Sequence, residues 1–163
     1  MGILFDFLKG KKNAEPTLSA YAQGTVVPME EIPDQVFSQG IMGFCCGIEP
    51  TDGKVYAPAD GTISQTTDTL HAVGLTVDGM ELLIHAGVDT VEMNGAGFTN
   101  AVQEGQAVKK GDLLLTVDLE QVRAAGHGTV VILAVTNSDD FAAVELTASG
   151  KVSVGDGLMN VRK

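Results

Sequence analysis

His71 and His85 stand fourteen residues apart in a chain of 163 residues that has three histidines in all. The segment they frame reads His71-Ala-Val-Gly-Leu-Thr-Val-Asp-Gly-Met-Glu-Leu-Leu-Ile-His85, two β-prone runs joined at Asp78-Gly79. A hairpin folded about its middle can lay the two imidazoles side by side. A paired imidazole site supports few chemistries: phosphoryl transfer, zinc binding or proton relay.

The strands that must position these rings admit two registers. With Asp78 as pivot, His71 opposes His85, Val73 opposes Leu83 and Leu75 opposes Glu81 on one face, while Ala72, Gly74, Leu82 and Ile84 line the other. A strict two-residue turn at Asp78-Gly79 shifts every pair by one and sends the histidines to opposite faces, because side chains alternate along a strand. That second register gives the cleaner apolar stripe, with Val73, Leu75, Val77, Met80, Leu82 and Ile84 on one side. A three-residue loop with a bulge at Gly79 would restore the pairing. Periodicity leaves both registers open. The residues after His85, Ala86-Gly87-Val88-Asp89, favour a paired site: a loop that starts at a glycine can aim a backbone carbonyl at one imidazole nitrogen, fix the tautomer and leave the other nitrogen free as a nucleophile.

The rest of the chain describes the frame. Its 20 glycines fall largely between short runs of Val, Ile, Leu and Thr, which is the pattern of many short strands joined by tight turns. Three segments share one design of small residues, glycine and β-branched strand: Tyr21-Ala-Gln-Gly-Thr-Val26, Ala57-Pro-Ala-Asp-Gly-Thr-Ile63 and Thr147-Ala-Ser-Gly-Lys-Val152. A second echo pairs Val108-Lys-Lys-Gly-Asp112 with Val152-Ser-Val-Gly-Asp156. These repeats predict an all-β, antiparallel fold with partial internal duplication and with its edges largely closed off. Two stretches predict short helical turns: Pro33-Asp-Gln-Val-Phe-Ser38, with proline at an early position, and Leu119-Glu-Gln-Val-Arg-Ala-Ala125, which stops at Gly126. Residues 1–17 read as leader and linker, and residues 18–163 as one domain with a proper core.

A formal net charge of −11 argues against nucleic acid and favours basic protein partners. No apolar run reaches membrane-spanning length, and residues 1–12 are too short for a secretory signal; they suit a short amphipathic helix in weak contact with anionic lipid, or a mobile leader. Cys45 and Cys46, the only cysteines, are adjacent, so they neither bridge comfortably nor make zinc spacing. They read as small buried strand residues in a reducing, cytoplasmic setting.

At these residues the chain resembles the glucose-family enzyme IIA proteins of the bacterial phosphoenolpyruvate-dependent sugar phosphotransferase system. The stretches that carry the likeness are Pro33-Asp-Gln-Val-Phe37, Gly53-Lys-Val-Tyr-Ala-Pro-Ala-Asp-Gly-Thr-Ile63, His71-Ala, Glu81-Leu-Leu-Ile-His-Ala-Gly-Val-Asp-Thr-Val91 and Glu104-Gly-Gln-Ala-Val-Lys-Lys-Gly-Asp112, in order from about residue 19 onward. The resemblance implies a jelly-roll-like β-sandwich of the duplicated, barrel-sandwich kind, and a phosphocarrier that needs no cofactor beyond a transient phosphohistidine. It implies that His85 accepts the phosphoryl group on Nε2, that the Gly87 carbonyl holds Nδ1, that His71 stabilises the group and helps pass it on, and that Thr69 orients His71. Asp34 and Asp89 match acidic residues that flank the site and meet an arginine of the phosphocarrier HPr. Phe37, Ile41, Met42 and Val91 match an apolar docking rim. HPr, a sugar-specific IIB domain and a membrane IIC permease are the implied partners, and regulation of other proteins through the phosphorylation state is compatible with that role.

The chain departs from the family in a turn between the histidines that is one residue shorter, in Leu70 where a polar residue is common, in Ala86 where a larger one is usual, and in Phe44-Cys-Cys-Gly47. His127 has no family counterpart and reads as a surface-loop residue. Two other classes compete. A zinc peptidase would take His71, His85 and Asp89 as ligands, but such enzymes normally show a His-x-His pair, which is missing here; zinc held by His71, His85 and a partner's carboxylate is the weaker version. A lipoyl or biotinyl carrier shares the glycine turns, yet the hairpin tip lacks the lysine that carries the prosthetic group.

Overall fold

A computed structural model describes residues 17–163. The leader and its lipid contact therefore lie, but for Thr17, outside the described residues. Thr17 itself opens the first strand.

Short strands rich in β-branched residues follow one another at glycine turns. In chain order they are β1 (Thr17–Ser19), β2 (Gly24–Val27), β3 (Phe44–Pro50), β4 (Lys54–Tyr56), β5 (Gly61–Thr66), β6 (Ala72–Val77) and β7 (Met80–Ala86). The second half supplies β8 (Phe98–Asn100), β9 (Ala107–Val108), β10 (Leu113–Val117), β11 (Val131–Val135), β12 (Ala143–Leu146), β13 (Lys151–Val152) and β14 (Gly157–Arg162). An eight-stranded antiparallel sheet runs β9-β5-β6-β7-β11-β3-β2-β13, and two three-stranded sheets, β4-β10-β8 and β12-β14-β1, complete the sandwich.

The centre of the large sheet explains the site. β11, Val-Ile-Leu-Ala-Val, is buried along its whole length between β7 and β3. Alternation splits it: Val131, Leu133 and Val135 face the main core with Met80, Leu82, Ile84, Cys46 and Ile48, while Ile132 and Ala134 face a smaller cluster with Cys45. Leu83 and His85 share the parity of that second face, since Ala134 pairs with Leu83 and Ile132 with His85. The segment from Met29 to Met42 folds back over this face and buries Ile32 and Phe37 on it. Its α-helical turn, α1 (Gln35–Ser38), is capped by Asp34, whose side chain accepts from the Val36 amide at 3.0 Å. The helical turn forms where the sequence places it, but Pro33 lies before the cap and not within the turn. The second helix, α2 (Leu119–Ala124), starts at the Asp118 cap and ends before Gly126, which takes φ +85.

The internal duplication is real and detailed. Gly111 and Gly155 donate to the carbonyls of Ala57 and Ala20 (2.9 and 3.1 Å), and the side chains of Asp112 and Asp156 accept from the amides of Lys109 and Ser153 (2.9 and 2.8 Å). Asp60 and Gln23 take equivalent bonds from Lys110 and Val154. Each echo thus closes the same hydrogen-bonded knot.

Candidate active site

The hairpin β6–β7 adopts the strict two-residue turn. Val77 pairs with Met80, Leu75 with Leu82, Val73 with Ile84 and Ala72 with His85. The register pivoting on Asp78, with His71 opposite His85 and Leu75 opposite Glu81, is therefore corrected, and no bulge at Gly79 is needed. Asp78 and Gly79 both take positive φ, as a tight primed turn requires, and burial of the continuous apolar stripe selects this alignment.

The histidines meet all the same: their ring centroids lie 4.8 Å apart, edge to face at 86°. The solution lies at the open end of the hairpin. β6 begins only at Ala72, and Leu70 sits in the left-handed region at φ 63. That turn releases His71 from the strand's alternation. Its backbone still registers with the partner strand, since the Ala86 amide donates to the His71 carbonyl at 2.8 Å, but its ring swings to the His85 side.

Each imidazole is held through Nδ1. His85 Nδ1 donates to the Gly87 carbonyl at 2.9 Å. A carbonyl only accepts, so the proton of the neutral ring is on Nδ1 and Nε2 carries the lone pair. Gly87 takes φ +86, and a Cβ there would come within 2.4 Å of Thr90 Cγ2, so glycine is demanded twice over. His71 Nδ1 lies 2.7 Å from the Thr69 hydroxyl, which can donate or accept.

Both rings are neutral at neutral pH. Burial, then the charge of His85, brings His71 down to about 4, against a smaller upward pull from the Thr69 backbone. His85 is also lowered by burial, with the Gly87 backbone bond and the charges of Asp34 and Asp89 opposing. The two carboxylates thus lie close enough to His85 for their charges to act on it.

The apolar residues divide. Ile41, Val91 and Val36 are exposed (67, 50 and 44 %), and Met42 is half-buried against the Phe37 cluster. Phe37 is only 4 % exposed: it is floor, not rim, its ring 5.2 Å from that of His85. Under it lies Cys45, buried as expected, whose thiol donates to the Phe37 carbonyl at 3.2 Å; burial first, then the charge of Asp34, pushes that thiol up to about 11, so it stays protonated. His127 lies in a loop, as the sequence suggests, but is half-buried there, its Nε2 3.9 Å from Glu92. Sequence reasoning missed Val36, Cys45 and Thr90. Val36 had a signal, an apolar residue in the one helical turn beside Phe37; the roles of the other two depend on contacts that spacing does not encode.

Among the described residues no three His, Cys, Asp or Glu side chains gather so as to hold a metal ion, so His71, His85 and Asp89 do not form a zinc-peptidase triad. No described helix is long and apolar enough to cross a membrane.

Comparison with known proteins agrees with this geometry. The family described as phosphoenolpyruvate-dependent sugar phosphotransferase system, EIIA 1, matches residues 16–141. The chain is 42 % identical over 147 residues to the glucose-specific EIIA component of Bacillus cereus, covering 90 % of this chain and 89 % of that one. It is 43 % identical to the β-glucoside-specific EIIBCA component of Dickeya chrysanthemi, over 85 % of this chain but only 22 % of that protein. The glucose-specific EIICBA component of Staphylococcus saprophyticus is matched at 44 % identity over 80 % of this chain and 19 % of its own length. The chain thus spans about a fifth of these two longer relatives. In structure it is similar to the glucose permease IIA from Mycoplasma capricolum, with a TM-score of 0.81 and 30 % identity over 91 % of this chain and 96 % of that one. The chain belongs to the EIIA 1 family of the phosphoenolpyruvate-dependent sugar phosphotransferase system.

Proposed function

We propose that this protein is a cytoplasmic phosphocarrier that takes a phosphoryl group from the phosphohistidine of HPr onto His85 and passes it to a sugar-specific IIB domain. The observation that carries the reading is the Nδ1–H bond from His85 to Gly87 at 2.9 Å, which leaves a neutral Nε2 as the only nucleophilic nitrogen of that ring. The Nε2 lone pair attacks phosphorus in line while the bond to the donor's imidazole breaks, and the donor nitrogen leaves with the electron pair. Onward transfer repeats this exchange with His85 as the leaving group.

His71 stands edge-on to His85 and is uncharged, so with Thr69 donating to its Nδ1 it offers an Nε2–H to a phosphoryl oxygen. A permanent cation there would hold the phosphoryl group too firmly for a carrier. Phe37 and the buried face behind it exclude water from one side. Val36, Ile41, Met42 and Val91 supply a small apolar docking rim, suited to a weak and fast encounter. Asp34 and Asp89 would receive an arginine of HPr, and the net charge of −11 steers a basic partner. Fusion to B and C components in the Dickeya and Staphylococcus relatives supports IIB and the membrane IIC permease as the downstream partners.

The test is incubation with phosphoenolpyruvate, enzyme I and HPr. One acid-labile, base-stable phosphate per chain is expected, absent in His85→Ala. No label, or label retained in that variant, contradicts the proposal.

A further inference from the structure

Resting on the reading of His85 as nucleophile, we propose that Thr90 is a positioning residue whose buried hydroxyl pins the turn after β7, so that the Gly87 carbonyl stays aimed at His85 Nδ1 and fixes its tautomer. Thr90 is 0 % exposed and is one of few buried polar side chains among the described residues. Its hydroxyl donates to the Ala86 carbonyl at 2.5 Å, across the turn that leaves β7. The two successive carbonyls of this turn, those of Ala86 and Gly87, have different donors. Thr90 takes the first, and His85 Nδ1 takes the second.

The surrounding amides are committed as well. Ala86 donates to the His71 carbonyl, Gly87 to Val130 and Val88 to Gly128, at 2.8, 2.8 and 3.0 Å. The Ala86 peptide therefore joins the two histidines: its amide holds the backbone of His71, and its carbonyl is pinned by Thr90. The methyl of Thr90 has a separate task. It occupies the space that a Cβ on Gly87 would need, so it restricts that position to glycine. Asp89, also left-handed at φ 58, brings the chain back so that Thr90 reaches this place. A hydroxyl that only satisfied itself would leave the imidazole unaffected when removed; a hydroxyl that holds the turn would not.

Two substitutions separate these roles. Thr90→Val keeps the methyl shape and leaves the buried Ala86 carbonyl without its donor, while Thr90→Ser keeps the donor and removes the methyl. In ¹⁵N-histidine-labelled protein, two-bond nitrogen–proton correlations read the His85 tautomer with no phosphoryl transfer needed. The expected result is Nδ1–H in the wild type and in Thr90→Ser, and a mixture with Nε2–H in Thr90→Val. Kinetically, Thr90→Val is expected to lower kcat for acceptance from phospho-HPr roughly 10-fold, as loss of an orienting partner does elsewhere. KM should stay within about 2-fold because the docking rim is untouched, and Thr90→Ser should restore kcat.

A wild-type tautomer and wild-type kcat in Thr90→Val would overturn the proposal. If that variant does not fold, Thr90→Cys, a weaker donor of similar size to serine, takes its place: an intermediate tautomer mixture supports the proposal and wild-type behaviour overturns it. If the wild type accepts no phosphate, the phosphocarrier reading fails, and the tautomer comparison still decides the role of Thr90.

Discussion

The two histidines are held in opposite ways. His85 sits inside a regular strand, paired with Ala72 on one side and Ile132 on the other, and its ring is fixed by a backbone carbonyl in a turn that admits only glycine. His71 sits one residue outside its strand, after a leucine in a left-handed conformation, and its ring is fixed by a side-chain hydroxyl. A nucleophile gains from a rigid mount, because misplacement by a fraction of an ångström loses in-line geometry. A helper that must follow the phosphoryl group from donor to acceptor gains from a mount with some play. The proposed asymmetry of roles thus has a counterpart in the asymmetry of support.

The largest effect is expected from Gly87→Ala, which attacks the rigid mount. The new Cβ meets Thr90 at 2.4 Å on a backbone at φ +86, so acceptance should fall by about 100-fold or more, with a stability loss of about 2–3 kcal/mol in denaturant titration. Acceptance within about 2-fold of wild type would show that the carbonyl is not a determinant. The softer mount is tested by His71→Ala and Thr69→Val, which should lower donation to the IIB domain roughly 10–100-fold and acceptance much less. Equal losses in both steps would erase the distinction.

pH gives the third test. Because His85 is lowered by burial from its ordinary 6.5, the midpoint of the fall in acceptance rate on acidification should lie below pH 6.5. A rate already halved at pH 6.5 would contradict a neutral, buried nucleophile. His71 adds a stability effect of defined sign. Its unfolded form takes up a proton as the pH falls below 6.5, while the folded form resists until about 4, so stability should decline through that window. His71→Ala should remove that part of the decline.

The smallest effect is expected at Leu70. A left-handed leucine is strained by roughly 1–2 kcal/mol. Leu70→Asn relieves that strain but gives up partial packing against the core, so stability should change by less than about 1 kcal/mol with donation retained. A loss above about 2 kcal/mol would mean that Leu70 contributes packing and carries little strain.

Much of this was legible in the sequence, for reasons that particular residues make clear. The repeated Gly-Asp knots at Gly111-Asp112 and Gly155-Asp156 are local hydrogen-bond patterns, so their residues announce the duplicated fold. Pro33 and Gly126 announce the two helical turns, while their caps, Asp34 and Asp118, emerge only in the structure. Gly87 announces a turn, and the resemblance points to its carbonyl. The register of the histidine hairpin was not legible, because both alignments satisfy alternation. The structure chose the better apolar stripe and resolved the histidine pairing at Leu70, a residue with no turn propensity whose left-handed backbone is imposed by its surroundings. Phe37 was assigned to the correct site but the wrong layer, since only the fold-back of the Met29–Met42 segment shows that its ring lies beneath the surface beside His85.

The central claim is that Nε2 of His85 is the nucleophile. Phosphorylating ¹⁵N-histidine-labelled protein through HPr and reading nitrogen–phosphorus coupling tests it most directly. The account requires a single coupled nitrogen, Nε2 of His85; coupling at Nδ1 of that ring, or at His71 or His127, would contradict it.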